Sequence, residues 1–323
     1  DLLLGLEGDD IIWGGIGDDV IRGDDDAALD NFVGAGNDEL HGGDGKDKIS
    51  GGAGDDVLYG DDGNDTLYGN AGEDTLYGGN DVDRLYGYGD NDILYGEAGN
   101  DYLYGGLGDD TLDGGAGADR IYGNEGNDTI HGGAGNDYLY GLDDNDTING
   151  DAGVDRIYGN AGDDIIDGGA DNDLIWGAEG ADTLYGGDGA DRLIGDDDPA
   201  TSGFVGAGND TLYGQADNDI LGGGAGDDTL YGGTGVDALY GNDGADTFAY
   251  QAGDIDGTMD YIHDFSLPEG DMIDISDVID FDAGNGDAIS DFVFISNGSY
   301  HAQISVDQDG TGTAFAPTIV TQI

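Results

Sequence analysis

The chain has 323 residues, with 73 Asp and Glu against seven Lys and Arg, for a formal charge of -66, and 69 glycines. Two strongly negative surfaces repel, so the net charge makes nucleic acid an implausible partner. There is no cysteine, so neither disulfides nor thiolate metal ligands are available, and no apolar run approaches membrane-spanning length. Such a composition by itself reads as disordered. A strict sequence period argues instead for a chain that folds once its carboxylates are neutralised.

The period is nine. The first four residues, Asp1-Leu2-Leu3-Leu4, occupy positions six to nine of a unit whose first five residues are missing, so the chain reads as a fragment cut inside a repeat array. They do not read as a signal peptide. From there the unit is G-G-x-G-x-D-x-(Leu/Ile)-x, as in Gly132-Gly133-Ala134-Gly135-Asn136-Asp137-Tyr138-Leu139-Tyr140. Two complete repeats carry Asp10 and Asp19. Residues 23–32 then interrupt the period. Eighteen unbroken repeats follow with Asp38, Asp47, Asp56, Asp65, Asp74, Asp83, Asp92, Asp101, Asp110, Asp119, Asp128, Asp137, Asp146, Asp155, Asp164, Asp173, Asp182 and Asp191 at position six. A second insertion, residues 195–204, precedes five more, with Asp210, Asp219, Asp228, Asp237 and Asp246. Position eight is Leu or Ile throughout, until Phe248.

A strand alternates its side chains, so position eight faces in and positions seven and nine face out. The glycines at positions one, two and four supply the left-handed and close-approach conformations of the reversing turn. Two repeats make a coil of 18 residues, and coils stack into two parallel sheets. One aliphatic side chain per nine residues is too thin a core to offset the cost of ordering the chain and crowding its acids. A bound cation supplies the balance. Asp side chains and turn carbonyls are hard oxygen donors, which suits Ca2+ better than Mg2+.

The nonapeptide resembles the RTX, or hemolysin-type, calcium-binding repeat. The resemblance covers residues 1–249. It implies an all-β fold, a right-handed parallel β-roll of two sheets, closed by a C-terminal antiparallel β cap. It also implies one ion between turns two repeats apart on the same edge. In that scheme Gly115, Gly117 and Asp119 of one turn face Gly132, Ala134 and Asp137 of the next. On the order of twenty ions would fit the array, each offsetting two negative charges. The ladder aspartates from Asp10 to Asp237 are the metal-ligand candidates. Position four departs from the pattern at Asp81, Asp90, Asp144, Asp171 and Asp217, which either tolerate the left-handed turn or add a ligand. Val33 and Val205 replace Gly at position one after the insertions. Asp24–Asp26 and Asp196–Asp198 in the insertions could bind further Ca2+, although solvated loops account for them.

Side chains 18 residues apart stack. Position nine on one sheet reads Tyr68, Tyr86, Tyr104, Tyr122, Tyr140, Tyr158, Trp176. Position seven reads Thr66, Arg84, Tyr102, Arg120, Tyr138, Arg156, Leu174, Arg192, so the Arg fall roughly 10 Å apart with cation–π contact between. Strand propensity alone explains much of this. A flat aromatic–Arg face is also suited to a glycan or a second copy of the protein. The opposite sheet carries strand Thr at 111, 129, 147, 183, 211, 229 and 247.

After Ala249 the composition changes, and residues 250–323 read as a separate capping unit. Phe292-Val293-Phe294-Ile295 and Gln303-Ile304-Ser305-Val306 read as antiparallel strands, with Asn297-Gly298 as a hairpin signal. Asp260-Tyr261-Ile262-His263-Asp264-Phe265 and Gly270-Asp271-Met272-Ile273-Asp274-Ile275-Ser276 are similar to segments in the C-terminal regions of serralysin-like proteases and alginate epimerases. That resemblance implies a target domain for type I secretion machinery, and a protein of the extracellular medium or cell surface of a Gram-negative bacterium. No catalytic motif stands out. His41, His131, His263 and His301 form no H-E-x-x-H, and there is no G-x-S-x-G. His41 and His131 read as surface residues. The expectation is a non-enzymatic, Ca2+-triggered secretion module of a larger protein, or else the structural repeat of an adhesin, surface layer or filament.

Overall fold

Strand alternation explains the interior better than the turn pattern does. Side chains at i, i+2 and i+4 share one face, so Asp at position six, Leu or Ile at position eight and Gly at position one all point inward. The computed structural model bears this out. Leu103, Ile121 and Leu139 are fully buried, and so are Asp101, Asp119 and Asp137. Positions seven and nine between them are partly or fully exposed.

The structure describes residues 1–6, 8–23, 36–196, 208–251, 254 and 260–277, and the backbone of 293–297, 302–306 and 318–321. These fall into two compact units, Asp1–Gly162 and Asp163–Ile323. Both are parallel two-sheet solenoids with 18 residues per coil, and no helix occurs among the described residues. In the first unit, strands such as Arg84–Gly89, Tyr102–Leu107 and Arg120–Glu125 build one sheet, with Leu103 beside both Leu85 and Ile121. Strands such as Thr75–Asn80, Ile93–Ala98 and Thr111–Asp113 build the other. The second unit repeats the scheme with strands such as Thr211–Ala216 and Thr229–Thr234 against Ile220–Ala225 and Ala238–Asp243.

Most strands run six residues, from position seven through position three of the next repeat, rather than three. The turn residues join the ladder, as where Gly106 and Leu107 pair with Asn124 and Glu125. After the three-residue strands Thr111–Asp113 and Thr129–His131 the turns still bond, Ala134 N donating to Gly115 O (2.7 Å) and Gly117 N to Ala134 O (2.8 Å). Residues 24–35 and 197–207, which take in most of both insertions and Val33, Val205, Asp24–Asp26, Asp197 and Asp198, lie outside the described residues. Asp196 is no part of a solvated loop: it is buried, and its Oδ2 accepts from Gly208 N (3.2 Å) and Ala225 N (3.1 Å).

The glycine positions separate by role. Gly115 and Gly117, at positions two and four, have φ of +90° and +148°. Gly132 at position one has ordinary φ. A Cβ there would come within 2.8 Å of Asp137 Oδ2 and of Gly150 O, so this glycine is required by crowding. The position-four acids Asp81, Asp90, Asp144, Asp171 and Asp217 all sit in the left-handed region, at φ 71–78°. All five are exposed, which is tolerance of the turn rather than recruitment into the interior. Position two also departs from Gly, at Tyr88, Glu97 and Leu142 among others, again with positive φ. Glu97 is exposed. Glu97→Gly is therefore expected to stabilise the folded array by about 1 kcal/mol, read as a higher denaturation midpoint, by relieving left-handed strain.

Beyond the last regular repeat the solenoid continues. Tyr261–Ile262 pairs in parallel with Ala238–Leu239, and Met272–Asp274 with Thr247–Ala249. Val293–Asn297, Ala302–Val306 and Thr318–Thr321 form an antiparallel run. Thr318–Thr321 joins the sheet alongside Tyr261–Ile262. Asn297 pairs with Ala302, and Gly298 of the Asn297-Gly298 signal lies outside the described residues.

Candidate metal centre

Along the array the ladder carboxylates divide their two oxygens between two tasks. Oδ1 reaches one coil back and accepts a backbone N–H. Asp119 Oδ1 accepts from Asp101 N and Asp137 Oδ1 from Asp119 N, both at 2.7 Å. The same bond recurs along both edges of the first unit and again in the second, where Asp182 N and Asp191 N donate across an insertion to Asp210 and Asp219. Oδ2 is buried and accepts no hydrogen bond in Asp65, Asp83, Asp101, Asp119, Asp137, Asp210 and Asp219. A buried oxygen with no donor is costly, and a buried negative charge more so.

The predicted ligand set is brought together. Ala116 and Ala134 bridge adjacent coils, which places Gly115, Gly117 and Asp119 directly against Gly132, Ala134 and Asp137 on one edge. The carbonyls of Gly115 and Ala134 each accept a ladder hydrogen bond, which leaves each oxygen a second lone pair. Gly132 O faces the Cα of Gly114 near Asp119 Oδ2. No group of three or more His, Cys, Asp or Glu side chains converges among the described residues. A cation held at this edge would therefore take carbonyl oxygens together with carboxylates, an all-oxygen set of the kind Ca2+ accepts.

Electrostatics points the same way. Burial raises the Asp83 carboxyl from its ordinary 3.8 to about 8, with Asp101, Asp65 and Asp81 adding repulsion against the lowering bond from Asp65 N. Burial brings Asp119 to about 7 and Asp137 to about 6. A group whose pKa rises on folding favours the fold below its unfolded value and loses that contribution as pH climbs through the folded value. In chelator, β structure is accordingly expected to increase as pH falls from about 8 towards 4. With Ca2+ present the dependence reverses, because the ligands must be ionised, and the Ca2+ midpoint rises on acidification. Circular dichroism across this range, with and without Ca2+, checks both signs.

Two ladder members escaped the nine-residue count. Asp260 Oδ1 accepts from Asp237 N (3.0 Å), and Asp271 Oδ1 from Asp246 N (3.1 Å). They hold the place of Asp at position six although they follow at spacings of 23 and 25. The signal available was local: Asp260-Tyr261-Ile262 and Asp271-Met272-Ile273 repeat the D-x-(Leu/Ile) core of the unit. Asp264 mimics a strand by accepting from Gly241 N and Asn242 N.

The histidines do not converge on one another. His41 stacks between Trp13 (3.7 Å) and Tyr59 (4.4 Å) and contacts Glu39, while His131 lies 3.4 Å from Asp151. His263 stacks on Tyr240, and His301 lies outside the described residues.

A periodic solenoid with buried carboxylate oxygens at every turn, glycine-cradled and flanked by carbonyls, defines a calcium-binding repeat protein. The RTX calcium-binding nonapeptide repeat (4 copies) matches from residues 1–27 and 32–67 through successive overlapping windows to 168–198, 204–230 and 222–254. The chain belongs to this RTX calcium-binding repeat family, and it is a Ca2+-binding repeat module. Comparison with curated proteins gives no match. No helix among the described residues is long and apolar enough to cross a membrane.

Proposed function

We propose that the array folds when it binds Ca2+ outside the cell and so supports type I secretion of a larger extracellular protein. The observation that carries this reading is the row of buried Oδ2 atoms without hydrogen bonds. Folding such a row without a counter-charge is opposed by desolvation and mutual repulsion, so metal binding and folding become one event. A chain of this kind stays unfolded where Ca2+ is scarce, in the state a narrow exporter accepts, and folds where Ca2+ is abundant. In this reading the ions number on the order of twenty, the partners are Ca2+ and a type I exporter, and residues 1–323 carry no catalysis themselves. Residues 250–323 act as the secretion target, as their resemblance to serralysin-like and epimerase C-terminal regions suggests. Fusing a cargo ahead of residues 1–323 in Gram-negative cells with a type I exporter tests this. Export should need both the exporter and residues 250–323, and equal export without them would overturn the role.

The stacked outer face favours a second reading, in which the array is itself the product: the structural repeat of an adhesin, surface layer or filament. Tyr86, Tyr104, Tyr122, Tyr140 and Tyr158 stack at 4.9–5.0 Å between ring centroids. That face would serve self-association or glycan binding.

A further inference from the structure

Charge is segregated on the first sheet of unit Asp1–Gly162. Its outward positions seven and nine hold Arg22, Lys48, Arg84, Arg120 and Arg156, five of the chain's seven Lys and Arg, and no Asp or Glu. The other sheet of the same unit carries Glu39 and Asp113 at those positions. In a chain of charge -66 this is the one strand face of the unit that is purely cationic.

The three central arginines are held in an unusual way for so acidic a protein. The Arg84 guanidinium lies over Tyr102 at 5.2 Å, Arg120 over Tyr102 and Tyr138 at 5.8 and 5.3 Å, and Arg156 over Tyr138 at 5.2 Å. Among the described residues none of the three pairs with a carboxylate. Their single side-chain hydrogen bond runs from Arg156 Nη1 to Tyr138 OH (3.0 Å). Ring stacking fixes the guanidinium groups and leaves their N–H donors available. The groups are exposed and recur every second rung, about 10 Å apart.

The neighbouring tyrosine row narrows the ligand. Tyr86 to Tyr158 lie parallel within 2–4°, so each inner ring face is covered by the next ring. A neutral sugar has no inner ring face to stack on, and meets phenolic edges and hydroxyls. Anions meet a row of arginine forks.

We propose that this Arg–Tyr ladder binds a linear polysaccharide bearing carboxylates, laid along the coil axis of the unit. The inference rests on the second reading above and names its ligand. A carboxylate is planar and takes both N–H donors of a guanidinium. A regular polymer presents the same anion at a fixed interval, as the ladder does with its donors. A second copy of the chain fits less well. Exposed turn acids reach the two-rung spacing only in isolated pairs, such as Asp61 with Glu97 and Glu73 with Asp109, and form no row of three to match Arg84, Arg120 and Arg156.

The test uses the whole chain in Ca2+, with circular dichroism confirming the β fold before each titration. Short oligogalacturonides should bind, with affinity falling as salt rises. The triple variant Arg84→Gln, Arg120→Gln, Arg156→Gln should bind on the order of 100-fold more weakly. Absence of binding by the folded chain, or equal binding by the folded variant, overturns the proposal. Equal or tighter binding of a sulfated or a neutral oligosaccharide overturns the assignment to carboxylates. Sedimentation that finds chain association abolished by the triple variant, without saccharide binding, sinks this inference and leaves the second reading standing. Loss of both association and binding sinks the two together. If the Gln variant fails to fold, Arg120→Lys replaces it: the charge stays, the fork goes, and weaker oligogalacturonide binding is expected. Unchanged binding by Arg120→Lys in that case overturns the fork.

Discussion

Removing Ca2+ is expected to abolish the β-roll. In excess chelator near neutral pH, residues 1–249 should lose their β circular dichroism signal and expand, and Ca2+ should restore both in one cooperative transition. The physical reason is that a coil of two repeats buries two carboxylates whose Oδ2 atoms accept no hydrogen bond, as in Asp119 and Asp128. Leaving such charges unpaired costs several kcal/mol each. The apolar core offers one Leu or Ile per repeat in return, such as Leu139. Summed over the array, the imbalance far exceeds the net stability of ordinary domains, about 5–15 kcal/mol. Full β structure in chelator at neutral pH would falsify the coupling of folding to metal.

Changing one ladder aspartate should be the most damaging single substitution. Asp119→Ala removes both the acceptor for Asp101 N and the unpaired Oδ2. It should destabilise the Ca2+-loaded array by about 3–5 kcal/mol, the range seen when one partner of a buried charge pair is deleted. Asp119→Asn keeps an acceptor for Asp101 N and loses the charge. It should therefore recover the hydrogen-bond share, roughly 1 kcal/mol, and none of the metal share. Asp81→Gly is the control, because Asp81 is exposed in a left-handed turn, and it should be neutral or slightly stabilising. Chelator titrations of all three, read by thermal midpoint and by Ca2+ stoichiometry, separate the effects. Similar losses for Asp81→Gly and Asp119→Ala would argue that position six has no special role.

Several features were legible from residue order because the repeat constrains them locally. Position six and position eight could be read straight off the ladder, and alternation along a strand then decides which side chains face in. The aromatic and Arg rows were legible for the same reason, since residues 18 apart must stack once the coil length is known. Other features were not legible in that way. Gly at position one looked like a turn requirement, whereas Gly132 has an ordinary φ and is needed because the Asp137 carboxylate fills the space a Cβ would take. Left-handed strain at position-two residues such as Leu142 (φ 90°) is visible only in the backbone. Asp260 and Asp271 were missed as ladder members because loops of different length separate them from the array, and a fixed period cannot follow a change of loop length.

By itself, then, the sequence determined the coil: nine residues per side, an inward Asp and Leu or Ile, an oxygen-only donor set and the class of ion. Those properties follow from period, alternation and donor chemistry, each of which acts within a repeat or between repeats two apart. Tertiary structure alone decided how the two oxygens of each carboxylate are shared. Stacking at one rung per coil brings Asp119 N within 2.7 Å of Asp137 Oδ1 and so commits one oxygen to the backbone. The other is left buried with no protein donor to meet it. That division depends on the distance between coils, a quantity set by the strand ladder and not by any single repeat.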